Sequence, residues 1–328
     1  MRSDVDWLEK ELSKDWTIKV EGIFGPPSEP DCVHSIRTLN RLLTWTSEGI
    51  EWECDPRHAE IVVRELGLKN SGTKVSTPGV RERPDAAHDE DEPIPVEEVT
   101  WYRSLCMRIA YLAQDRPDLG VATRELAKGM QAPTQRHVAQ LKRTARYLKG
   151  TPRIVQVFKN QEAATMLSGW CDADHAGCIR TRKSTSGGAV LAGAHCLVHW
   201  CRGQAVIALS SGEAEYYSLV TLMSELMGLK SLGEDWNLDY KLCANIDATA
   251  AIGIASRRGL GRVKHLDTVF LWVQEVIDRH KVKVLKKHTS EMLADLLTKF
   301  VDQGKLLKFS TRLGFLVLEG SHGLKLKA

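Results

Sequence analysis

Four carboxylates in the second half of this 328-residue chain fall at the edges of elements that the sequence predicts. Asp172 ends the strand SGWCD, and Glu215 lies in the first turns of the helix that begins SSGEAEYYSL. Asp247 follows the strand LCANI and opens the next helix, and Asp295 lies inside a terminal helix, SEMLADLLTKF. Acids gathered from separate elements around one sheet suit a hard divalent cation, because Mg²⁺ takes oxygen ligands and keeps several waters. Two such ions about 4 Å apart can activate a water and stabilise the leaving oxygen of a phosphodiester. Each acid also has a plainer account: Asp247 as an N-cap, Asp172 as a turn acid, Asp295 as a helix-surface charge paired with Lys299 at i+4. Glu213 shows the contrast, since Ser210-Ser211-Gly212-Glu213 fits a capping box and gives it a structural role. Glu215 has no such role. Its helix buries Leu219, Leu222, Met223, Leu226 and Leu229, which leaves Glu215 to point elsewhere.

Other polar groups add weaker signals. Asp174, two residues past Asp172, is a secondary acid. Arg180, Arg182 and Lys183 precede Ser184, Thr185 and Ser186 in a Gly-ended hairpin, where cations and hydroxyls suit phosphates as well as they suit a polar tip. A basic face on the helix near 134–148 and the run RHKVKVLKKH invite the same two readings. His195, Cys196, His199 and Cys201 crowd together but fit no structural zinc spacing. On a strand, His195, His199 and Cys201 share one face and Cys196 takes the other, as sheet packing requires.

The elements around these groups predict an α/β fold. From residue 154 the segments IVQVF, TMLSGWCD, GGAVLAG, HCLVHWC and QAVIALS read as short strands, followed by a long helix after Ser210, the strand LCANI, a helix from Ala248, the strand KVKVL and a helix from about Glu291. An antiparallel start followed by strand–helix alternation predicts a mixed sheet flanked by helices. Upstream, residues 3–23 pass from a helical pattern into the alternating WTIKVEGIF, RTLNRLLTWTSEGIEWEC reads as strands around a turn, and DPRHAEIVVRELGL reads as a helix with Asp55 as N-cap. Between them and two amphipathic helices, over about 99–112 and 134–148, residues 82–98 hold eight acids against one arginine, with three prolines. Such a stretch reads as a solvated linker.

Hydrophobic residues make up 43% and charged residues 27%, which excludes wholesale disorder. With 45 basic and 42 acidic side chains the net charge is +3, which neither demands nor excludes a nucleic-acid partner. No run of about 18 apolar residues exists to span a membrane, and the opening MRSDVDWLEK is unlike a secretory signal. Eight cysteines, none in a Cys-x-x-Cys pair, argue for a reducing, intracellular compartment without separating cytoplasm from nucleus.

The ordered set WYRSLCMRIAYLAQDRPDLGVATRELAKGM, AQLKRTARYLKGT, GWCDADHAG, TRKSTSGG, HWCRGQAVIALSSGEAEY, NIDATAAIGIA, VKHLDTVFLWVQE and HTSEMLADLLTKF resembles the end of a copia-type LTR retrotransposon Pol polyprotein over roughly residues 100–300. There the connection region runs into a type 1 ribonuclease H domain. Residues 3–80 resemble the end of the reverse transcriptase palm and its thumb. The resemblance implies a ribonuclease H-like mixed five-stranded sheet flanked by helices, preceded by a smaller α+β palm and thumb remnant and by connection helices. It divides the chain into 1–80, an acidic linker 81–98, connection helices 99–153, a ribonuclease H-like unit 154–315 and a tail 316–328. It assigns metal binding and catalysis to Asp172, Glu215, Asp247 and Asp295, with two Mg²⁺ ions (or Mn²⁺), and gives His288 a part in product release. The substrate it implies is the RNA strand of an RNA–DNA hybrid, cut to a 3′-hydroxyl and a 5′-phosphate, with the remainder of a polyprotein as partner. His175, Cys178 and Gly188 depart from the family pattern. Lys264 and His265 match it without an evident task. No Tyr-x-Asp-Asp motif occurs, so no autonomous polymerase activity is expected. The intact acidic quartet points to an enzyme, while the truncated front end leaves open a non-catalytic remnant that binds nucleic acid or a partner polyprotein.

Overall fold

Short apolar stretches broken by turns build the strands, and helical periodicity builds the elements between them. A computed structural model describes residues 2–81, 92–261, 268–320 and 322–324. Helix α1 (Arg2–Asp15) leads into irregular chain and then strands β1 (Ser35–Thr38), β2 (Arg41–Thr46) and β3 (Gly49–Cys54). Helices α2 (Arg57–Glu65), α3 (Val96–Leu112), α4 (Gly120–Ala127) and α5 (Gln135–Gly150) come next, then β4 (Ile154–Lys159), β5 (Met166–Asp174), β6 (Thr185–Ala192) and β7 (His195–Gly203). The long α6 (Ser211–Asp235) precedes β8 (Lys241–Ile246), α7 (Thr249–Ala255), α8 (Trp272–Arg279) and β9 (Lys283–Lys286). Helix α9 (Gln303–Arg312) and β10 (Phe315–Val317) close the described chain.

These strands form two five-stranded sheets. The first, ordered β1-β2-β3-β4-β10, is antiparallel throughout. The second, ordered β7-β6-β5-β8-β9, is mixed: β5, β6 and β7 pair antiparallel, whereas β8 runs parallel to β5, and β9 to β8. Parallel neighbours need crossovers, which α6 supplies before β8 and α7 with α8 supply before β9. The chain is therefore α/β, with the expected mixed five-stranded sheet flanked by helices.

Two apolar clusters explain why both faces of that sheet are covered. Leu167, Cys171, Val190 and Ala192 pack against Leu219, Leu222 and Leu226 of α6 and Val273 of α8. Trp170, Ala189, Leu191 and Cys196 join Leu105, Ile109, Leu141, Leu148, Leu293, Leu297 and Phe309. Strand alternation sends each set to its own side. Helices α3 and α5 thus lie in the same core as one face of the mixed sheet.

Several expected elements take other forms. IVQVF, as β4, pairs with β3 and β10 rather than with the mixed sheet. QAVIALS is not a strand: it follows the edge strand β7, finds no further neighbour to pair with, and leaves Val206, Ile207 and Leu209 exposed. WTIKVEGIF likewise forms no strand, since only Phe24 bridges, to Val33. The segment from Glu291 is two 3₁₀ turns, Thr289–Glu291 and Leu293–Leu297, before α9. Residues 293–297 are all buried, so that stretch has no polar side on which an amphipathic helix could face water. Lys264 and His265, and the acidic stretch at 82–91, lie outside the described residues. Among the described residues no helix is long and apolar enough to cross a membrane.

Candidate active site

Parallel pairing of β5 and β8 ends both strands at the same edge of the sheet, the edge where open α/β sheets bind ligands. Asp172 is the third residue from the end of β5, and Asp247 directly follows β8. Glu215 comes to the same edge from the start of α6. Ser210 caps that helix by accepting from the Glu213 N–H, and the Glu213 carboxylate in turn accepts from the Leu209 N–H and the Tyr217 hydroxyl. Gly212 lets α6 close on α7, because a Cβ there would meet the Ala250 Cβ at 2.6 Å. Glu213 therefore fixes the helix while Glu215, two residues and more than half a helical turn further along, faces the acids.

Asp172, Glu215 and Asp247 each offer a carboxylate oxygen within 4.8 Å of the other two. Asp172 is 3% exposed and Glu215 7%. One Glu215 oxygen accepts from the Ala173 N–H at 3.2 Å, while Oε2 is buried without a partner. Burial first, and then the Asp172 and Asp247 carboxylates, push the Glu215 carboxyl up to about 9. Such crowding of acids around an orphaned oxygen is what a cation would relieve, and an all-oxygen donor set fits Mg²⁺ or Mn²⁺.

The fourth acid arrives through close backbone packing. A Cβ on Gly187 of β6 would meet the Leu297 carbonyl at 2.5 Å, so only glycine lets the 293–297 turn press onto the sheet. Asp295, 2% exposed, is thereby set near Asp172, and Lys299 joins the two, its Nζ lying 2.7 Å from Asp295 Oδ1 and 3.5 Å from Asp172 Oδ2. Burial raises the Asp295 carboxyl to about 6, against the opposing pull of Lys299. Burial alone would lower the Lys299 ammonium, but the Asp172 and Asp295 charges outweigh it and raise it. The Thr298 hydroxyl donates to Asp172 Oδ2, and the Ser218 hydroxyl to the Asp172 carbonyl at 2.7 Å. Sequence reading paired Lys299 with Asp295 but gave no sign that Lys299 and Thr298 would reach Asp172.

The remaining candidates lie as follows. His288 caps a 3₁₀ turn through Ser290, and its neighbour Thr289 donates to Asp247 Oδ2 at 3.0 Å. Asp174 meets Arg81 at 3.4 Å, and burial raises its carboxyl. Ser184, Thr185 and Ser186, expected in a polar Gly-ended hairpin, are buried. Ser184 Oγ accepts from the Ala176 N–H and Ser186 Oγ from the Gln204 amide. Arg182 remains exposed and Lys183 half-buried beside them. Of the α5 cations, Lys149 binds the Leu68, Lys69 and Ser71 carbonyls, and Arg143 binds Thr77. Among the described residues, the acidic trio is the group of His, Cys, Asp and Glu side chains close enough to share an ion, and the β7 histidines and cysteines do not join into one.

No protein-family model matches the chain. The retrovirus-related Pol polyprotein from transposon RE2 of Arabidopsis thaliana is 31% identical over 229 residues, which are 68% of this chain and 16% of that protein. The corresponding polyprotein from transposon TNT 1-94 of Nicotiana tabacum is 28% identical over 308 residues, 91% of this chain and 22% of that one. The chain belongs to the copia-type retrotransposon Pol polyproteins. It matches 22% or less of the length of these two relatives. A solved structure, the LC11 ribonuclease H1 isolated from compost by a metagenomic approach, is similar over 41% of this chain and 93% of its own, at 14% identity and a TM-score of 0.30.

In this Pol chain the three departures from the family pattern have local accounts. His175 Nε2 lies 3.2 Å from the Ala208 carbonyl and so ties the exposed apolar loop to the end of β5. Cys178 is buried, which raises its thiol, but hydrogen bonds from Thr181 and Arg180 together with the Lys128 charge outweigh burial and lower it. A side chain on Gly188 would run into the Trp200 indole at 2.3 Å, so the tryptophan fills the place that a larger residue would take. None of the three touches the carboxylate oxygens.

Proposed function

We propose that this chain is a ribonuclease H-like endonuclease that hydrolyses the RNA strand of RNA–DNA hybrids with Mg²⁺ or Mn²⁺. The observation that carries the reading is the trio of buried Asp172 and Glu215 with half-buried Asp247, and its unpartnered Glu215 oxygen, at the carboxyl edge of the mixed sheet. Membership of a retrotransposon Pol family, whose replication passes through such hybrids, supports it. Asp172, Glu215 and Asp247 would hold one cation, and Asp172 with Asp295 a second. Bound divalent cations supply a nucleophilic water near neutral pH and neutralise charge on the scissile phosphate. The chain's own part is to aim the carboxylates: Ser218 and Thr298 hold Asp172, Ala173 holds Glu215, and Thr289 holds Asp247. His288, on the loop that carries Thr289, is assigned to product departure. Exposed Arg182 and half-buried Lys183 are assigned to phosphates, which position a duplex without reading its sequence. Selectivity for a hybrid would then rest on duplex shape and 2′-hydroxyls.

The test is a labelled RNA–DNA hybrid incubated with the purified chain and Mg²⁺. RNA fragments ending in 3′-hydroxyls are expected from the native chain and not from Asp172→Asn or Asp247→Asn, which keep shape and remove ligand charge. Undiminished cleavage by either variant would overturn the assignment.

A further inference from the structure

The cations around the carboxylates are distributed unevenly. Lys299 holds both Asp172 and Asp295, whereas among the described residues neither Glu215 nor Asp247 has an ion pair. Thr298 adds a hydroxyl on the same Asp172 oxygen, so that Oδ2 has a donor and an ammonium, while Glu215 Oε2 has none. The Lys299 side chain keeps 29% of its surface exposed, although both carboxylates it binds are buried. Its flexible stem therefore reaches inward from the rim, and its compact ammonium can leave by the way it came.

We propose that Lys299 is a tethered cation that occupies the Asp295 side of the cluster, so that a second divalent ion enters there only by displacing its ammonium. The inference rests on the reading of Asp172, Glu215 and Asp247 as cation ligands, and it divides that site into unequal halves. On the Glu215 side, Glu215 and Asp247 have no ammonium beside them, and together with Asp172 they take the first ion directly. On the Asp295 side, an arriving ion meets a charge already partly balanced, and it must compete with a cation held at high effective concentration by the chain itself. Displacement would send the ammonium outward, toward where the phosphates of a bound duplex would lie.

Metal binding can be measured without turnover, by calorimetric titration of Mn²⁺ into the full chain, with bound and free ion counted by electron paramagnetic resonance. The native chain is expected to bind one ion and, at least about tenfold more weakly, a second. Lys299→Met should tighten the second ion by on the order of tenfold and leave the first little changed. Lys299→Arg, which keeps the charge and guards against a folding defect in the methionine variant, should preserve the native gap. Equal affinity for two ions in the native chain, or an unchanged second step in Lys299→Met, would overturn the proposal while leaving the nuclease reading intact. Absence of any bound ion, with hybrid cleavage unaffected by Asp247→Asn, would instead remove the reading beneath it.

Discussion

Two groups of buried charges in this molecule are built on opposite plans. Between α3 and α4, Arg116 and Asp118 are almost wholly buried and fully matched. Arg116 donates from Nε and Nη2 to the two Asp118 oxygens at 3.1 and 2.7 Å, and from Nη1 to the Thr151 carbonyl, while the Tyr147 hydroxyl adds a bond to Asp118 at 2.8 Å. At the edge of the mixed sheet, by contrast, the one lysine among four carboxylates reaches only Asp172 and Asp295, and a buried oxygen of Glu215 has no partner. Buried ions are tolerated when each meets its complement, and an uncompensated one is costly. The first group needs nothing from outside. The second holds more carboxylates than cations, and a local penalty of that kind is expected of a site kept for function rather than for stability.

The contrast is sharpest where one partner of the matched pair is removed. Arg116→Met leaves Asp118 buried with only the Tyr147 hydroxyl, and should cost about 3–5 kcal/mol of folding free energy. Urea denaturation measures it, and adding Asp118→Leu to make the double variant should recover most of the loss. A cost under about 1 kcal/mol would mean that the pair is solvated after all and that the two groups do not differ in kind.

Removing a charge from the unmatched group should have the opposite sign. The Glu215 carboxyl lies near 9 in the folded chain against an ordinary 4.5. Between these values the folded state keeps a proton that the unfolded state has lost. Stability is therefore greatest below the lower value and falls as pH rises toward the upper one. At pH 7 the penalty amounts to at most about 3 kcal/mol. In the presence of a chelator, Glu215→Gln should thus raise stability by about 1–3 kcal/mol near neutral pH and flatten the decline toward pH 9. Saturating Mg²⁺ should shrink the difference, because an ion that binds only the folded chain stabilises the native protein. Chelator-treated native protein whose denaturation midpoint does not move between about pH 5 and pH 9 would contradict this.

How much of this could be read from residues alone follows from the range of each interaction. Asp172, Glu215 and Asp247 stood out because each acid interrupts or ends an apolar element, and α6, β5 and β8 are long enough to be legible. The capping role of Glu213 was local and equally plain. Pairing of β4 with β3 was not, because IVQVF has the same strand-forming character whichever sheet accepts it. Val206 and Ile207 misled for the same reason: β-branched side chains signal a strand only where a neighbouring edge exists to receive one. The turn at 293–297 follows from the approach of Leu297 to Gly187, a contact between distant segments that no helical period reveals. The bridging role of Lys299 and the bond from Thr298 to Asp172 depend on that same approach.

Thr298 offers the finest probe of the comparison, because it supplies one hydroxyl to the unmatched group without altering any charge. Its Oγ donates to Asp172 Oδ2, the oxygen that Lys299 also approaches. Thr298→Val keeps the shape and removes the donor, and should lower stability by about 1 kcal/mol, the usual net worth of a hydrogen bond. Thr298→Ser should restore it. If Asp172 is held chiefly by the lysine, the valine variant will lose stability without a change in Mn²⁺ affinity. If the hydroxyl sets the carboxylate's direction, the first ion will bind more weakly as well. Among the described residues no other side-chain hydroxyl donates to the Asp172 carboxylate, and Asp172 is tied through its main-chain and side-chain oxygens to α6 and the 293–299 segment. The orienting role is therefore the expected outcome, and a valine variant with native ion affinity would assign that role to Lys299 alone.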